Sequence, residues 1–245
     1  MKRNEKPKRP VEFRRVVSIV VLATMLAATV YISVMLIVAS TTEATLARSQ
    51  SDYVLMLLQC LLGIAGVCLP AMLEKRHNLV IPSNMMILYV LFLYGAIFLG
   101  EVMAFYYRVP HWDTFLHTLS GAMLGALGYS VITFLNKSDG VPVNLSPLFV
   151  AFFAFCFSVA MGMVWEIYEY TVDVLFHTNM QKYAVEGGAA LMGQQALADT
   201  MKDIIVDAIG ALVIAVIGYI SLKRDKIFVN KLLFKRRKKD GGTKS

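Results

Sequence analysis

Cysteine is scarce in this chain of 245 residues: Cys60, Cys68 and Cys156 are the only three. None belongs to a C-x-x-C pair, and all three lie inside long apolar runs, where a thiol packs as a small apolar group. A disulfide framework and a thiolate zinc site are therefore excluded as organising features. Charge is thin as well, at 17% Asp, Glu, Lys and Arg, against about 25% in an ordinary soluble domain. There is no P-loop, no G-x-G-x-x-G, no G-x-S-x-G and no fixed-period repeat. Nothing signals a nucleotide, an organic cofactor or a serine hydrolase. Bases are almost missing from the middle: from Asn84 to Leu222 there are ten acids and four bases, a balance of −6. The formal net charge of +7 arises from seven Lys/Arg in residues 2–15 and ten in residues 223–245. The basic character thus belongs to the two ends, which argues against a nucleic-acid-binding fold.

Apolar residues fill the rest, at 57% of the chain. A hydrocarbon core about 30 Å thick needs roughly 20 apolar residues in a helix to cross it, and a helix satisfies its own backbone in lipid. Six segments meet that length, at about 16–39, 53–73, 84–107, 113–135, 147–173 and 199–222. The fold class is all-α, a polytopic bundle of six transmembrane helices over 16–222 between basic tails at 1–15 and 223–245. The first run, about 24 residues long, exceeds the roughly 7–15 of a secretory signal and reads as a retained span. Lys and Arg concentrate on the cytoplasmic side. The amino tail, Lys75-Arg76, Lys137 and the tail with Lys235-Arg236-Arg237-Lys238-Lys239 all fall on one side of a six-span model. The loops 40–52, 108–112 and 174–198 hold one base each, Arg48, Arg108 and Lys182. Both termini are expected in the cytoplasm, in a plasma membrane.

Ionisable groups in spans are expensive and face a bundle interior or a wet cavity. Here eight of the seventeen acids fall in the outer leaflet of that topology. Glu101 and Arg108 lie at the end of the third span, and Asp113 and His117 open the fourth. Glu166, Glu169 and Asp173 close the fifth; Asp199, Asp203 and Asp207 open the sixth. At 100° per residue, Asp199, Asp203 and Asp207 form one stripe roughly 12 Å deep, Asp113 and His117 share a face, and so do Glu101 and Arg108 two turns apart. Gly121, Gly125, Gly128, Gly162 and Gly210 would let these helices approach closely.

Plain structural roles cover part of the set. Asp113 and Asp199 stand where an N-cap is wanted, and Asp203 is in or near a first turn, where the helix dipole favours an anion. Trp112, Trp165, Tyr168 and Tyr170 suit an interfacial belt, and His177 and Glu186 a solvated loop. Glu166, Glu169, Asp173 and Asp207 lie beyond any cap, and Arg108 and Lys202 are too few to neutralise them. A divalent metal (Mg²⁺, Mn²⁺ or Zn²⁺) would hold such acids together. The expected ligands are His117, Glu166, Glu169, Asp203 and Asp207, with Glu101, Arg108, Asp173 and Asp199 behind them or at the mouth. Asp113, His117, Glu166 and Glu169 are the expected catalytic groups.

The D-x-x-x-H opening with its following glycine (Asp113, His117, Gly121), the W-E-x-x-E segment (Trp165, Glu166, Glu169) and the D-T-x-x-D-x-x-x-D-x-x-G-A element (Asp199, Thr200, Asp203, Asp207, Gly210, Ala211) together resemble the YjdF-type and VanZ-like bacterial membrane proteins over about 110–215. The resemblance implies a bacterial plasma-membrane protein with an envelope-related role. The signatures of CDP-alcohol phosphotransferases and di-iron bundles are absent, and the Asp199/Asp203/Asp207 run resembles an aspartate-rich prenyltransferase motif in spacing alone. The leading expectation is an outward-facing, metal-dependent hydrolase or transferase acting on envelope lipids or lipid-linked precursors. A small ion- or proton-coupled carrier and a non-catalytic accessory protein are the alternatives.

Overall fold

Each apolar run expected to cross a bilayer is a helix in the computed structural model, which describes residues 9–41, 48–136, 145–185, 189–224 and 235–236. Lys2 to Lys8, Lys137, Glu186 and the basic run 237–239 lie outside the described residues. The helices are α1 (Arg9–Thr41), α2 (Gln50–His77), α3 (Ser83–Leu93, continued as a π-helix over Tyr94–Val102), the single turn α4 (Phe105–Arg108), α5 (Trp112–Asn136), α6 (Pro147–Phe176) and α7 (Gln194–Lys223). Six of them are long and apolar enough to span a membrane. A two-residue ladder, β1 (Leu79–Val80) against β2 (Lys235–Arg236), is antiparallel.

The surfaces of these helices identify their solvent. Val16, Ile19, Val30 and Ile37 on α1, and Leu148, Phe152 and Ile167 on α6, are more than half exposed. A continuous apolar exterior of this size is untenable in water and ordinary in lipid. The hydroxyls of α1 are satisfied within the helix: Ser18 donates to the Arg14 carbonyl at 3.0 Å, Thr29 to Met25 at 2.8 Å and Ser33 to Thr29 at 2.7 Å. Those three hydroxyls present no free donor to hydrocarbon.

Two groups of three helices make the bundle. Helices α1, α2 and α3 close around Met25, Ile32, Cys60 and Val90, all essentially inaccessible. Helices α5, α6 and α7 touch one another pairwise around Tyr129, whose hydroxyl donates to the Ala215 carbonyl at 2.7 Å. The groups meet where α3 touches α5 and α2 touches α6. The Trp112 indole N–H donates to the Gly95 carbonyl in the π-helical stretch at 3.2 Å, and Leu55 of α2 packs on Val172 and Met180.

The ends of the helices are set by local chemistry. Ser49 and Asp52 form a reciprocal capping box at the start of α2. Asn78, in the left-handed conformation at φ 51°, ends it beside Lys75, Arg76 and His77. Arg14 meets Glu74 at 3.2 Å, and Glu74 also accepts from the Ile81 amide at 2.9 Å. The start of α1, the end of α2 and the β1–β2 ladder therefore share one end of the bundle. The acids gather at the other.

The boundaries differ from the sequence expectation at several helix ends, and two of these differences bear on the acids. The third span ends at Val102, not near 107, because the π-helix gives way to Ala104 in the left-handed region at φ 58°. The sixth begins at Gln194, after Gly193 at φ 58°, rather than at 199. Asp199 is consequently in the second turn and caps nothing.

Candidate metal centre

Helices α5 and α7 cross at unusually short range, and the crossing places the acids. A Cβ on Gly121 would lie 2.2 Å from the Asp207 carbonyl oxygen, and one on Gly210 would lie 2.2 Å from the Thr118 carbonyl. Only glycine on both sides permits this approach. From α6, Gly162 leaves the space taken by the Asp207 carboxylate, which a Cβ there would meet at 3.0 Å. Ser158 of α6 donates to the Gly121 carbonyl at 2.8 Å, tying the third helix to the same point.

His117 sits at the centre, 8% exposed. Its Nδ1 is 3.2 Å from Asp207 Oδ2, and a carboxylate only accepts, so the Nδ1 proton is donated there. Asp207 is itself held by the Ser120 hydroxyl, which donates to Oδ1 at 2.5 Å. The other ring nitrogen, Nε2, therefore points at two further carboxylates, Asp113 Oδ1 at 3.8 Å and Asp203 Oδ2 at 3.9 Å. One ligand atom from each of Asp113, His117 and Asp203 lies within 4.8 Å of the others. Asp203 Oδ1 and the Thr114 hydroxyl are buried beside them without a hydrogen-bond partner.

A strap over this end comes from the segment after α6. Asp173, near the helix terminus, accepts from the Thr178 hydroxyl at 2.5 Å, the Met180 amide at 2.7 Å and the Gln181 amide at 2.9 Å. Asn179 brackets Ala184 through both its amide and its carbonyl, at 3.0 and 2.7 Å. These bonds hold Lys182 at φ 51°, a conformation that costs a non-glycine residue about 1 kcal/mol or more. Lys182 Nζ then reaches Asp113 Oδ2 at 3.0 Å and the face of Tyr106 at 4.1 Å. Burial alone would lower the Lys182 pKa, but Asp113, with Tyr106, Glu101 and Glu169 behind it, raises it overall. The ammonium is a permanent part of the strap.

The expected site residues divide accordingly. Asp113, His117 and Asp203 come together as one ligand group. Asp207, expected as a ligand, is hydrogen-bonded to the opposite ring nitrogen of His117, Nδ1. Glu166 and Glu169 are buried on α6 but contribute no atom to that group. Glu169 lies in the field of Lys182. Asp199 is half-buried one turn from Asp203. Asp173 is not at the mouth; it anchors the strap, satisfied by backbone amides that a sequence pattern does not display. Glu101 and Arg108 do not share a helix face, because the chain turns at Ala104; Arg108 is exposed on α4. Asp113 is in the first turn of α5, with its carboxylate on Lys182 rather than on a backbone amide.

Three contributors were not picked out in the sequence. Lys182 looked like an isolated loop base, and Ser120 and Tyr106 like ordinary helix residues. Only Ser120 carried a usable signal, standing three positions after His117 on the face that meets α7.

Residues 16–224 match the family model described as "Predicted membrane protein (DUF2238)". An "Uncharacterized protein" of Thermotoga maritima is 29% identical over 154 residues, covering 61% of this chain and 69% of the relative. No solved structure matches. With six spanning helices and a family match over most of its length, the chain is a multi-pass membrane protein belonging to the DUF2238 family.

Proposed function

We propose that Asp113, His117 and Asp203 bind a divalent cation, and that the protein uses it on envelope lipids or lipid-linked precursors at the outer face of a bacterial plasma membrane. The carrying observation is the spacing around His117 Nε2. Distances of 3.8 and 3.9 Å to two carboxylates are too long for N–H···O hydrogen bonds, which end near 3.2 Å. They suit an ion placed between the three groups with bonds of about 2.0–2.2 Å. Carboxylate, imidazole and carboxylate are donors for Zn²⁺, Mn²⁺ or Mg²⁺. The Asp207–His117 bond is the outer-shell arrangement that fixes the tautomer of a metal-bound imidazole.

Such a cation would polarise a phosphoryl oxygen or lower the pKa of a bound water. Glu169 and Lys182 border the centre, one an acceptor and the other a fixed positive charge. Basic tails that set both termini in the cytoplasm put the centre outside, and the DUF2238 membership accords with the YjdF-type side of the sequence resemblance.

Metal analysis of the purified protein tests the reading. Stoichiometric Zn, Mn or Mg in the wild type, lost in Asp203→Asn and His117→Gln, is the expected result. Wild-type protein without bound metal after purification in metal-supplemented, chelator-free buffer would overturn it. His117 would then be an imidazolium linking three carboxylates, as an accessory protein requires.

A further inference from the structure

Beside the candidate metal centre, α6 and α7 border an open cavity of about 240 Å³. Ile167, Tyr170 and Ile204 form its apolar wall, and Glu166, Gln181 and Thr200 its polar one. Ile167 and Tyr170 are 62% and 59% exposed on the outer face of α6. In a bilayer that face meets lipid, so the cavity opens sideways into the membrane. Its volume falls below the roughly 300–1,000 Å³ of a pocket for a drug-sized ligand and suits a group of a few heavy atoms.

Glu166 is the unusual member. It is 5% exposed, and neither carboxylate oxygen has a hydrogen-bond partner. Thr200 stands beside it, its hydroxyl accepting from Gln181 Nε2 at 3.1 Å. A buried carboxyl with both oxygens unpaired is costly, so the partner is to be sought outside the chain. It is not an internal base: Lys182 is engaged by Asp113 and Tyr106. No Lys or Arg lines the cavity among the described residues, so a phosphate has nothing to bind there.

We propose that this cavity seats the primary ammonium of a membrane lipid head group, with Glu166 accepting its N–H donors and the lipid entering between α6 and α7 from the bilayer. As a binding site the cavity stands independently. As the substrate seat of the metal centre it rests on the reading above.

The test incorporates the purified full chain into vesicles holding equal phosphatidylethanolamine, phosphatidylcholine and phosphatidylglycerol with identical acyl chains. Retained lipids are measured by mass spectrometry after detergent exchange, and metal content is measured on the same samples. The expected result is enrichment of phosphatidylethanolamine over both others by about tenfold, the scale of a charge-assisted hydrogen bond. Glu166→Gln should abolish it with metal content unchanged. Ile167→Trp, which narrows the mouth from the lipid side, should lower it. The wild-type comparison needs no variant to fold, and its choline head keeps the positive charge while replacing the N–H donors with methyl groups. Equal retention of the three lipids overturns the proposal. So does undiminished enrichment in Glu166→Gln, or loss of metal from that variant, which would assign Glu166 to the metal centre. Enrichment in a protein that carries no metal supports the cavity and sinks the metal reading alone.

Discussion

The α5–α7 crossing offers a quantitative test, because one contact both packs the bundle and builds the candidate metal centre. Gly121→Ala would put a methyl 2.2 Å from the Asp207 carbonyl, and Gly210→Ala one at the same distance from the Thr118 carbonyl. Neither obstacle is a flexible side-chain tip; both are helix backbone. To regain ordinary contact at 3.4 Å, the helices must separate locally by about 1.2 Å. That movement stretches the 3.2 Å bond between His117 and Asp207 beyond hydrogen-bond range. Each single variant should lose about 1–3 kcal/mol, the usual cost of overpacking a filled site, together with metal occupancy. The double variant should cost much less than the sum, because a crossing already opened by the first methyl admits the second. Unfolding titrations in mixed micelles on all four proteins of the cycle give the coupling directly. Additive losses, or either single variant retaining wild-type stability and metal, would refute the idea that one shared approach distance controls both.

Further expectations concern the strap and the joints. Asp173→Ala removes three hydrogen bonds to a charged acceptor and should free residues 178–184 by about 2 kcal/mol or more, read as faster amide exchange there with α5 and α7 unaffected. The Lys182 pKa is raised by its carboxylate neighbours, so its stabilising effect is complete below the ordinary lysine value near 10.4 and fades only as pH climbs through the higher folded value. Strap protection should therefore be flat from pH 7 to 10 in the wild type and already reduced at pH 7 in Lys182→Met. Arg48→Ala leaves the Glu101 and Val102 carbonyls, now served at 3.1 and 3.2 Å, without their cap. It should increase amide exchange across 98–104 and lower the melting temperature.

The sequence displayed the six spans because twenty apolar residues in a row have one stable form in lipid. It displayed the acidic convergence because i, i+4 spacing fixes a helix face. Asp113 with His117, and Asp203 with Asp207, were legible on those grounds. How the stripes rotate against one another was not legible. Which of Asp203 and Asp207 faces Nε2 and which faces Nδ1 depends on the glycine crossing, whose depth no periodicity encodes. The strap was hidden for a different reason: Asp173 is neutralised by backbone amides, which every sequence has everywhere. The break at Ala104, which separates Glu101 from Arg108, rests on a left-handed alanine that carries no glycine or proline warning.

The division into two groups of three helices has a consequence for how the protein is made. The first three close on an apolar core of their own. The candidate metal centre draws Asp113 and His117 from α5 but Asp203, and Asp207 behind His117, from α7, the last of the described helices. Until α7 arrives, α5 holds His117 in the bilayer without Asp203 and Asp207. Assembly of the second group therefore waits on α7. A chain truncated before residue 194 should be recognised by membrane quality control, even though most of its spans are already in place.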